Sequence, residues 1–276
     1  MPRLIRRLLA EGPLRGRALR VDSGIDVIGD IAIVRLVGID SAVKHEVADA
    51  LLASMANVKC VFEQEGGVEG EYRLRKLVHL AGDDRLQTTH RENGCAFEVD
   101  LGRCYFSPRL STERKRIAER VSPGESVLNM FAGVGPFSIP ISRLKRVRVT
   151  SCELNEVACA FHEKNNRLNK VAGLIRVLNE DAAELPRLLG SRFDRILMPH
   201  PTKANEFLPA ALALSKKGAT IHYYRQVLGR NELEARAGLR EELTELLPAH
   251  ASYEIRRVRE IGPRWLELAA DIVLKD

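Results

Sequence analysis

The chain has 276 residues, 45% of them apolar and 29% charged, enough for a full core in one large domain with room for a smaller one. A net charge of +6 tilts the partner towards a polyanion, and no run of about eighteen apolar residues exists to span a membrane. Five cysteines without a C-x-x-C pair read as reduced thiols of a cytoplasmic protein, and seven histidines without zinc spacing predict no metal.

Residues 1–21 are an Arg-rich arm without the apolar core or cleavage site of a secretory signal. Its Arg3, Arg6, Arg7, Arg15, Arg17 and Arg20 are candidates for nonspecific phosphate contacts. Residues 22–103 read as a small α+β domain. DVIGDIAIVRL (26–36) alternates as one half-buried strand, SAVKHEVADALLASM (41–55) has helical spacing, and VKCVFEQEG (58–66), YRLRKLVHLAG (72–82) and CAFEVDLGRCYFS (95–107) alternate again. Arg73, Arg75, Lys76, Arg91 and Arg103 interleave these strands, which fits RNA contact or a solvated sheet face.

Residues 104–276 change rhythm. ESVLNMFAG (125–133) is an apolar strand running into glycine, VRVTSCEL (147–154) a second strand and NEVACAFHEKNNRLN (155–169) a helix. GLIRVLNED (173–181), FDRILMP (193–199) and GATIHYYR (218–225) repeat the strand pattern, and YEIRRVREIG (253–262) with WLELAADIVL (265–274) closes the chain. Apolar strands separated by helices predict a doubly wound parallel sheet finished by an antiparallel hairpin, with ligands beyond the carboxyl ends of its strands.

Three features fall at such ends. Phe131-Ala132-Gly133-Val134-Gly135-Pro136-Phe137 follows the first strand, and its glycines permit close backbone approach to a ligand. The dinucleotide fingerprint is absent, because Ser138 stands where its third glycine belongs. Glu153, followed by Leu154, closes the second strand, where a carboxylate can grip ribose hydroxyls. Asp181, followed by Ala182, closes the third, where an acid can accept from an adenine amino group. Glycines, Glu and Asp at successive strand ends lay out an S-adenosylmethionine pocket. The fourth strand ends in Met198-Pro199-His200-Pro201, where neither proline has an N–H to extend the ladder.

HRENGCAFEVDLGRCYFSPRLSTER (90–114), NMFAGVGPFSIPI (129–141) and IHYYR (221–225) resemble the archaeal and eukaryotic tRNA guanine-37 N1-methyltransferases. These share a class I (Rossmann-like) methyltransferase fold with the wyosine-pathway aminocarboxypropyl transferases. The resemblance spans residues 25–276 and implies S-adenosylmethionine as methyl donor. It also implies a tRNA partner, engaged through its anticodon arm at position 37; a monomer is expected. Methylating N1 of neutral guanine requires a base for its proton and a cationic donor for O6. The resemblance gives the donor to Arg109, with Arg114 as a nearby alternative, and the base to Glu153, which is also the natural ribose ligand. His200 and Lys203 complete the expected substrate contacts.

The Pro199-His200-Pro201 loop departs from the Asn-x-Pro form of that family, with Pro199 in place of the asparagine. It resembles the archaeal subgroup that also methylates C7 of 4-demethylwyosine to give isowyosine, and Pro199 and Pro201 read as a rigid floor under the target base. Only about twenty residues precede the strand at 26–36, too few for the family's extra N-terminal domain. Two alternatives stand: an aminocarboxypropyl transferase using the same cofactor, and a non-catalytic tRNA-binding protein. A C5-cytosine enzyme is disfavoured because no cysteine ends the fourth strand.

Overall fold

The computed structural model describes residues 24–275, so the arginine arm expected at 1–21 lies outside the described residues. The chain divides into two compact units at Ser111 and Thr112.

In the first unit the single strand expected over 26–36 is a hairpin. β1 (Asp26–Ile28) pairs antiparallel with β2 (Ile31–Val34), Ile28 opposite Ile31. The alternation is interrupted because Gly29 takes φ +59°, a left-handed conformation cheap for glycine. A Cβ there would also lie 2.1 Å from Thr88 Oγ1. Helix α1 (Ser41–Ser54) follows, capped by Asp40, whose Oδ1 accepts from Ala42 N–H at 2.9 Å. It buries Val47, Ala48 and Leu51 in a core with Val34, Leu36, Val61 and Leu80. It leads to β3 (Cys60–Glu69), parallel to β2, and then to antiparallel β4 (Leu74–Gly82), giving the order β1-β2-β3-β4.

A separate hairpin joins β5 (Gln87–Glu92) and β6 (Cys95–Asp100) through Asn93 and Gly94, whose φ values are 48° and 71°. Two positive φ values are what a type I′ turn requires. The segment after β6 folds back onto this unit. The Phe106 ring lies 5.1 Å from His90 and 6.1 Å from Phe97, and its carbonyl accepts from Arg75 Nη2 at 3.1 Å. The unit therefore ends at Ser111, where the sequence pattern divides at 103.

The second unit is built on α2 (Ser111–Arg120), β7 (Val127–Asn129), α3 (Ser138–Lys145), β8 (Val149–Glu153), α4 (Glu156–Leu168) and β9 (Ile175–Asn179). The short α5 (Leu185–Leu188), β10 (Phe193–Met198), α6 (Ala204–Ala213), β11 (Ser215–Leu228), α7 (Glu232–Leu246), β12 (Ala251–Gly262) and β13 (Trp265–Leu274) follow. The sheet order is β12-β13-β11-β10-β7-β8-β9. β9 through β11 are parallel, and β13 runs antiparallel to both β11 and β12. This is the doubly wound sheet with a terminal antiparallel hairpin that the sequence predicts. The chain winds outward from β7 to β9 and returns across β7 to β10, so a topological switch point lies between β7 and β10, where such sheets bind ligands.

Leu128, Ile196, Ile221, Leu268 and Ala270 are fully or almost fully buried along the strands, with Leu208 of α6 and Leu239 of α7 in the same core. A buried polar chain stitches β10, β11 and β13. Arg195 Nη1 donates to His222 Nε2 at 2.7 Å, which leaves the ring proton on Nδ1 to donate to Asp271 Oδ1 at 2.6 Å. Arg116 and Arg120 also reach the Asp271 carboxylate, at 2.6 and 2.9 Å, and these partners hold it far below the usual carboxylate range.

Candidate functional site

The glycine loop turns off β7 by way of positive backbone angles, φ +52° at Gly133 and +93° at Gly135. Ala132 N–H donates to the Cys152 carbonyl at 2.9 Å, and Ile139 N–H donates to the Gly135 carbonyl at 3.0 Å as α3 begins. Beneath the loop, Asn129 Nδ2 and Ser151 Oγ both donate to Ser138 Oγ, at 3.1 and 2.8 Å. Ser138 thus has a purpose that excludes a third glycine: it joins β7 and β8 to the first turn of α3.

Helix α4 braces the loop from behind. Asn165 Nδ2 donates to the Val134 carbonyl at 3.0 Å. One helical turn earlier His162 is 0% exposed, with neither ring nitrogen hydrogen-bonded. A Cβ on Gly135 would lie 2.5 Å from His162 Cδ2 and 2.6 Å from Nε2. Gly135 is therefore demanded by packing against this imidazole as well as by its backbone angle. Burial pushes the imidazole down to about 3, so it is neutral at physiological pH.

The two predicted acids stand at adjacent strand ends, since Glu153 of β8 is in register with Asn179 of β9. Glu153 Oε2 accepts from Gly133 N–H at 2.7 Å and Oε1 from Asn155 N–H at 2.9 Å. Burial raises its pKa against the lowering effect of these N–H groups. Asn179 Nδ2 donates to the Glu153 and Leu154 carbonyls at 3.0 and 2.9 Å, fastening the two strand ends together. Asp181 is exposed and its Oδ1 accepts from Ala183 N–H at 2.8 Å, while Ala182 is buried beside it. A glycine loop and two carboxylates at successive strand ends fit a nucleoside-bearing cofactor. Cys152 and Cys159 flank the site, but burial pushes both thiols up to about 12, which leaves them without nucleophilic character.

After β10, His200 N–H donates to the Met198 carbonyl at 2.8 Å, which closes a three-residue turn centred on Pro199. An inverse γ-turn needs a central φ near about −75°, and the pyrrolidine ring holds φ at about −65°. The turn presents His200 to the glycine loop, its ring 5.0 Å from that of Phe131. Phe207 of α6 packs edge-on against the same Phe131 ring, also at 5.0 Å. Pro201 is buried, and its carbonyl accepts from Gln226 N–H at 2.9 Å. Lys203 is exposed at the head of α6. The proline loop and the glycine loop are thus one connected surface at the carboxyl edge of the sheet.

Phe207, His162, Asn165 and Asn179 escaped the sequence reading, as did Glu113. The Glu113 carboxylate is 4% exposed and accepts from Tyr224 Oη at 2.7 Å, with Arg116 and Arg256 at 2.7 and 3.0 Å. The Tyr224 ring is 6.0 Å from Phe137 of the glycine loop, so this pair underlies the site. An available signal was the asparagine run Asn165, Asn166 and Asn169 on an amphipathic helix, where buried amides need partners.

Arg109 and Arg114 fall differently. Arg109, in the first unit, is half-exposed, and its Nε donates to Asp26 Oδ1 at 2.6 Å. Arg35 and Arg75 share that neighbourhood, and together with burial their mutual repulsion lowers the Arg35 pKa. Arg114, the expected alternative, is 1% exposed, so its side chain is core and offers no surface to a phosphate. Its helix turns that position inward with Ile117 and Ala118.

A family model described as the TRM5/TYW2 methyltransferase domain matches residues 88–242, and one described as the TYW2 N-terminal domain matches residues 5–85. The stretch read as an arm and a small α+β domain is therefore similar to a known N-terminal domain. Over 202 residues the chain is 40% identical to the tRNA (guanine(37)-N(1))-methyltransferase Trm5b of Pyrococcus abyssi, covering 73% of this chain and 59% of that one. The chain thus spans less than two thirds of that relative's length. It is 32% identical over 253 residues to the tRNA 4-demethylwyosine(37)-methyltransferase Taw21 of Saccharolobus solfataricus, covering 90% and 92% of the two chains. A solved complex of aTrm5 with tRNALeu superimposes with a TM-score of 0.82 at 32% identity, over 99% of this chain and 76% of that one.

Proposed function

The chain belongs to the TRM5/TYW2 methyltransferase family, and from that premise we propose that it transfers a methyl group from S-adenosylmethionine to N1 of guanosine 37 in tRNA. We further propose that it methylates C7 of 4-demethylwyosine at the same position. The observation that carries the reading is the carboxyl edge of the second unit. Gly133 and Gly135, Glu153 and Asp181 occupy three successive strand ends beside the switch point, with the Pro199 turn across it.

When bound, S-adenosylmethionine supplies an electrophilic methyl group on a sulfonium. The loop from Phe131 to Phe137 cradles the amino-acid end with backbone groups, Glu153 with Leu154 takes the ribose, and Asp181 with Ala182 takes the adenine. Both Glu153 oxygens are engaged by loop N–H groups, which aims the carboxylate at the cofactor, so we assign it there. As the N1–methyl bond forms, the sulfonium–methyl bond breaks to leave S-adenosylhomocysteine and the N1 proton passes to solvent water. Pro199 forms the floor under the target base with the buried Pro201 backing it, and His200, braced by Phe131, lies at its edge. Arg109 is the proposed cationic donor to O6. Its contact with Asp26 uses Nε, and the terminal nitrogens are the donors assigned to the base. Lys203 is assigned to a substrate phosphate.

The two names of similar proteins, guanine and 4-demethylwyosine methyltransferases, support the two substrates. The match to the TYW2 N-terminal domain favours one competing chemistry, aminocarboxypropyl transfer from the same cofactor. Nucleoside mass spectrometry of tRNA incubated with the protein and S-adenosylmethionine tests both. N1-methylguanosine, and isowyosine from tRNA bearing the tricyclic precursor, are expected; exclusive transfer of the aminocarboxypropyl chain would overturn the reading.

A further inference from the structure

β11 continues well past the edge at which the site lies. Met198, the last residue of β10, pairs with Tyr223, whereas β11 runs on from Tyr224 to Leu228. Those five residues, at about 3.3 Å each, carry the strand roughly 16 Å beyond the end of β10. β13 accompanies it throughout, with Leu228 opposite Trp265, and β12 reaches Gly262 opposite Trp265. The result is a three-stranded wall on the carboxyl side of the sheet. It is tied to the proline loop by Gln226 N–H to the Pro201 carbonyl at 2.9 Å and by Arg225 Nη1 to the Thr202 carbonyl at 3.0 Å.

The tip of this wall is built unlike its base. Trp265, the single tryptophan of the chain, is 43% exposed, Leu228 opposite it is 51% exposed, and Leu233 at the start of α7 is 77% exposed. Arg230 and Arg264 flank them, with Gly229 N–H donating to the Arg264 carbonyl at 2.9 Å. The hairpin turn is Pro263-Arg264. Proline sets a negative φ at its first position and Arg264 has φ +65° at the second, the sign pattern of a type II turn, which favours glycine there. An arginine in that conformation is strained, and such strain is a feature of functional positions.

An exposed indole beside guanidinium groups, held out over the reactive edge, suits single-stranded nucleic acid: bases stack on the ring and cations track the backbone. We propose that the β12–β13 tip is a second RNA subsite, in which Trp265 stacks on an unpaired base of the loop that carries the target nucleotide and Arg264 contacts its phosphate. The subsite rests on the tRNA-modifying reading above. The apolar leucines alone would also suit a second copy of this chain; the arginines and the position beyond the carboxyl edge favour RNA.

Because Trp265 is the single tryptophan, its emission reports on the subsite directly. Titrating tRNA into the full chain is expected to quench it with the Kd found by filter binding, whereas S-adenosylmethionine alone leaves it unchanged. Trp265→Ala is expected to weaken tRNA binding about 10-fold, on the scale of one stacked base, with cofactor affinity unaltered and Trp265→Phe restoring most of the loss. Arg264→Gly removes the strained side chain, so it is expected to hold or raise the melting temperature while weakening tRNA binding, a divergence a purely structural residue would not produce. If both variants bind and methylate tRNA as the parent does, the subsite is overturned and the methyltransferase reading stands. If the parent neither binds nor modifies tRNA, that reading falls and takes the subsite with it. A dimer in sedimentation that Trp265→Ala dissolves would overturn the subsite in favour of a second copy.

Discussion

Gly135→Ala separates packing from ligand approach at the glycine loop. The new methyl group would lie 2.5 Å from His162 Cδ2, 2.6 Å from His162 Nε2 and 2.8 Å from Ile139 Cδ1, with the backbone at φ +93°. The dihedral costs about 1–3 kcal/mol for a non-glycine residue. Overpacking against a fully buried ring costs about 1–3 kcal/mol more. The sum, about 2–6 kcal/mol, is a large share of the roughly 5–15 kcal/mol that holds a domain folded. Urea titration, with S-adenosylmethionine calorimetry in parallel, measures both stability and loop geometry. The same substitution made in a His162→Ala background isolates the causes, because removing the ring abolishes the overpacking and leaves the dihedral cost. The cycle is expected to show a coupling of about 1–3 kcal/mol. Strict additivity, or a cost below about 1 kcal/mol for Gly135→Ala alone, would refute the contact between this glycine and α4.

Glu153→Gln places an amide NH2 against one of the two N–H groups that the carboxylate now accepts from. Losing a charged hydrogen bond at about 1.5–3 kcal/mol predicts roughly 10–100-fold weaker S-adenosylmethionine binding; unchanged affinity with turnover abolished at saturating cofactor would make Glu153 the base instead. Pro199→Asn loosens the γ-turn and adds a polar edge, so methylation of the tricyclic base should fall several-fold relative to guanine, and an unchanged ratio in paired tRNA assays would defeat the floor assignment. His162, lowered to about 3 from 6.5, makes the fold acid-sensitive. Between those values the unfolded chain binds a proton that the folded chain refuses, so stability is lost as pH falls from about 6.5 towards 3, by about 2 kcal/mol at pH 5. In His162→Leu the loss between pH 7 and 5 should be smaller by about that amount; identical urea midpoint shifts in both proteins would refute it.

The sheet of the second unit was legible because its signals are local. Each strand is a short apolar run, each helix has its own period, and the switch point follows from their alternation. The first unit shows where that logic fails. From Val27 to Val34 the apolar run is broken by Gly29-Asp30, a two-residue hairpin signal passed over as part of one strand, and Thr88, far along the sequence, leaves no room for a Cβ at Gly29. Phe106 likewise reads as part of a strand, but its ring belongs with His90 and Phe97, and that contact moves the boundary of the unit to Ser111.

The site divides the same way. The placement of Gly133, Glu153 and Asp181 at strand ends is legible because backbone freedom and charge at a strand end are properties of single residues. Arg109 was read as a free donor, and its partner Asp26 is 83 positions away. Arg114 is the alternative donor that the family resemblance implies, and only the packing of α2 reveals that it points inward with Ile117. Pro199 lies between these cases. Its missing N–H announced the end of a strand, but the γ-turn, the His200–Phe131 contact and the bond from Gln226 to Pro201 are long-range consequences of where β11 runs. A rigid turn fixes a surface only when something holds its far side, and here β11 does so by overrunning β10. The same overrun that holds the far side of the Pro199 turn is what carries Trp265 beyond it.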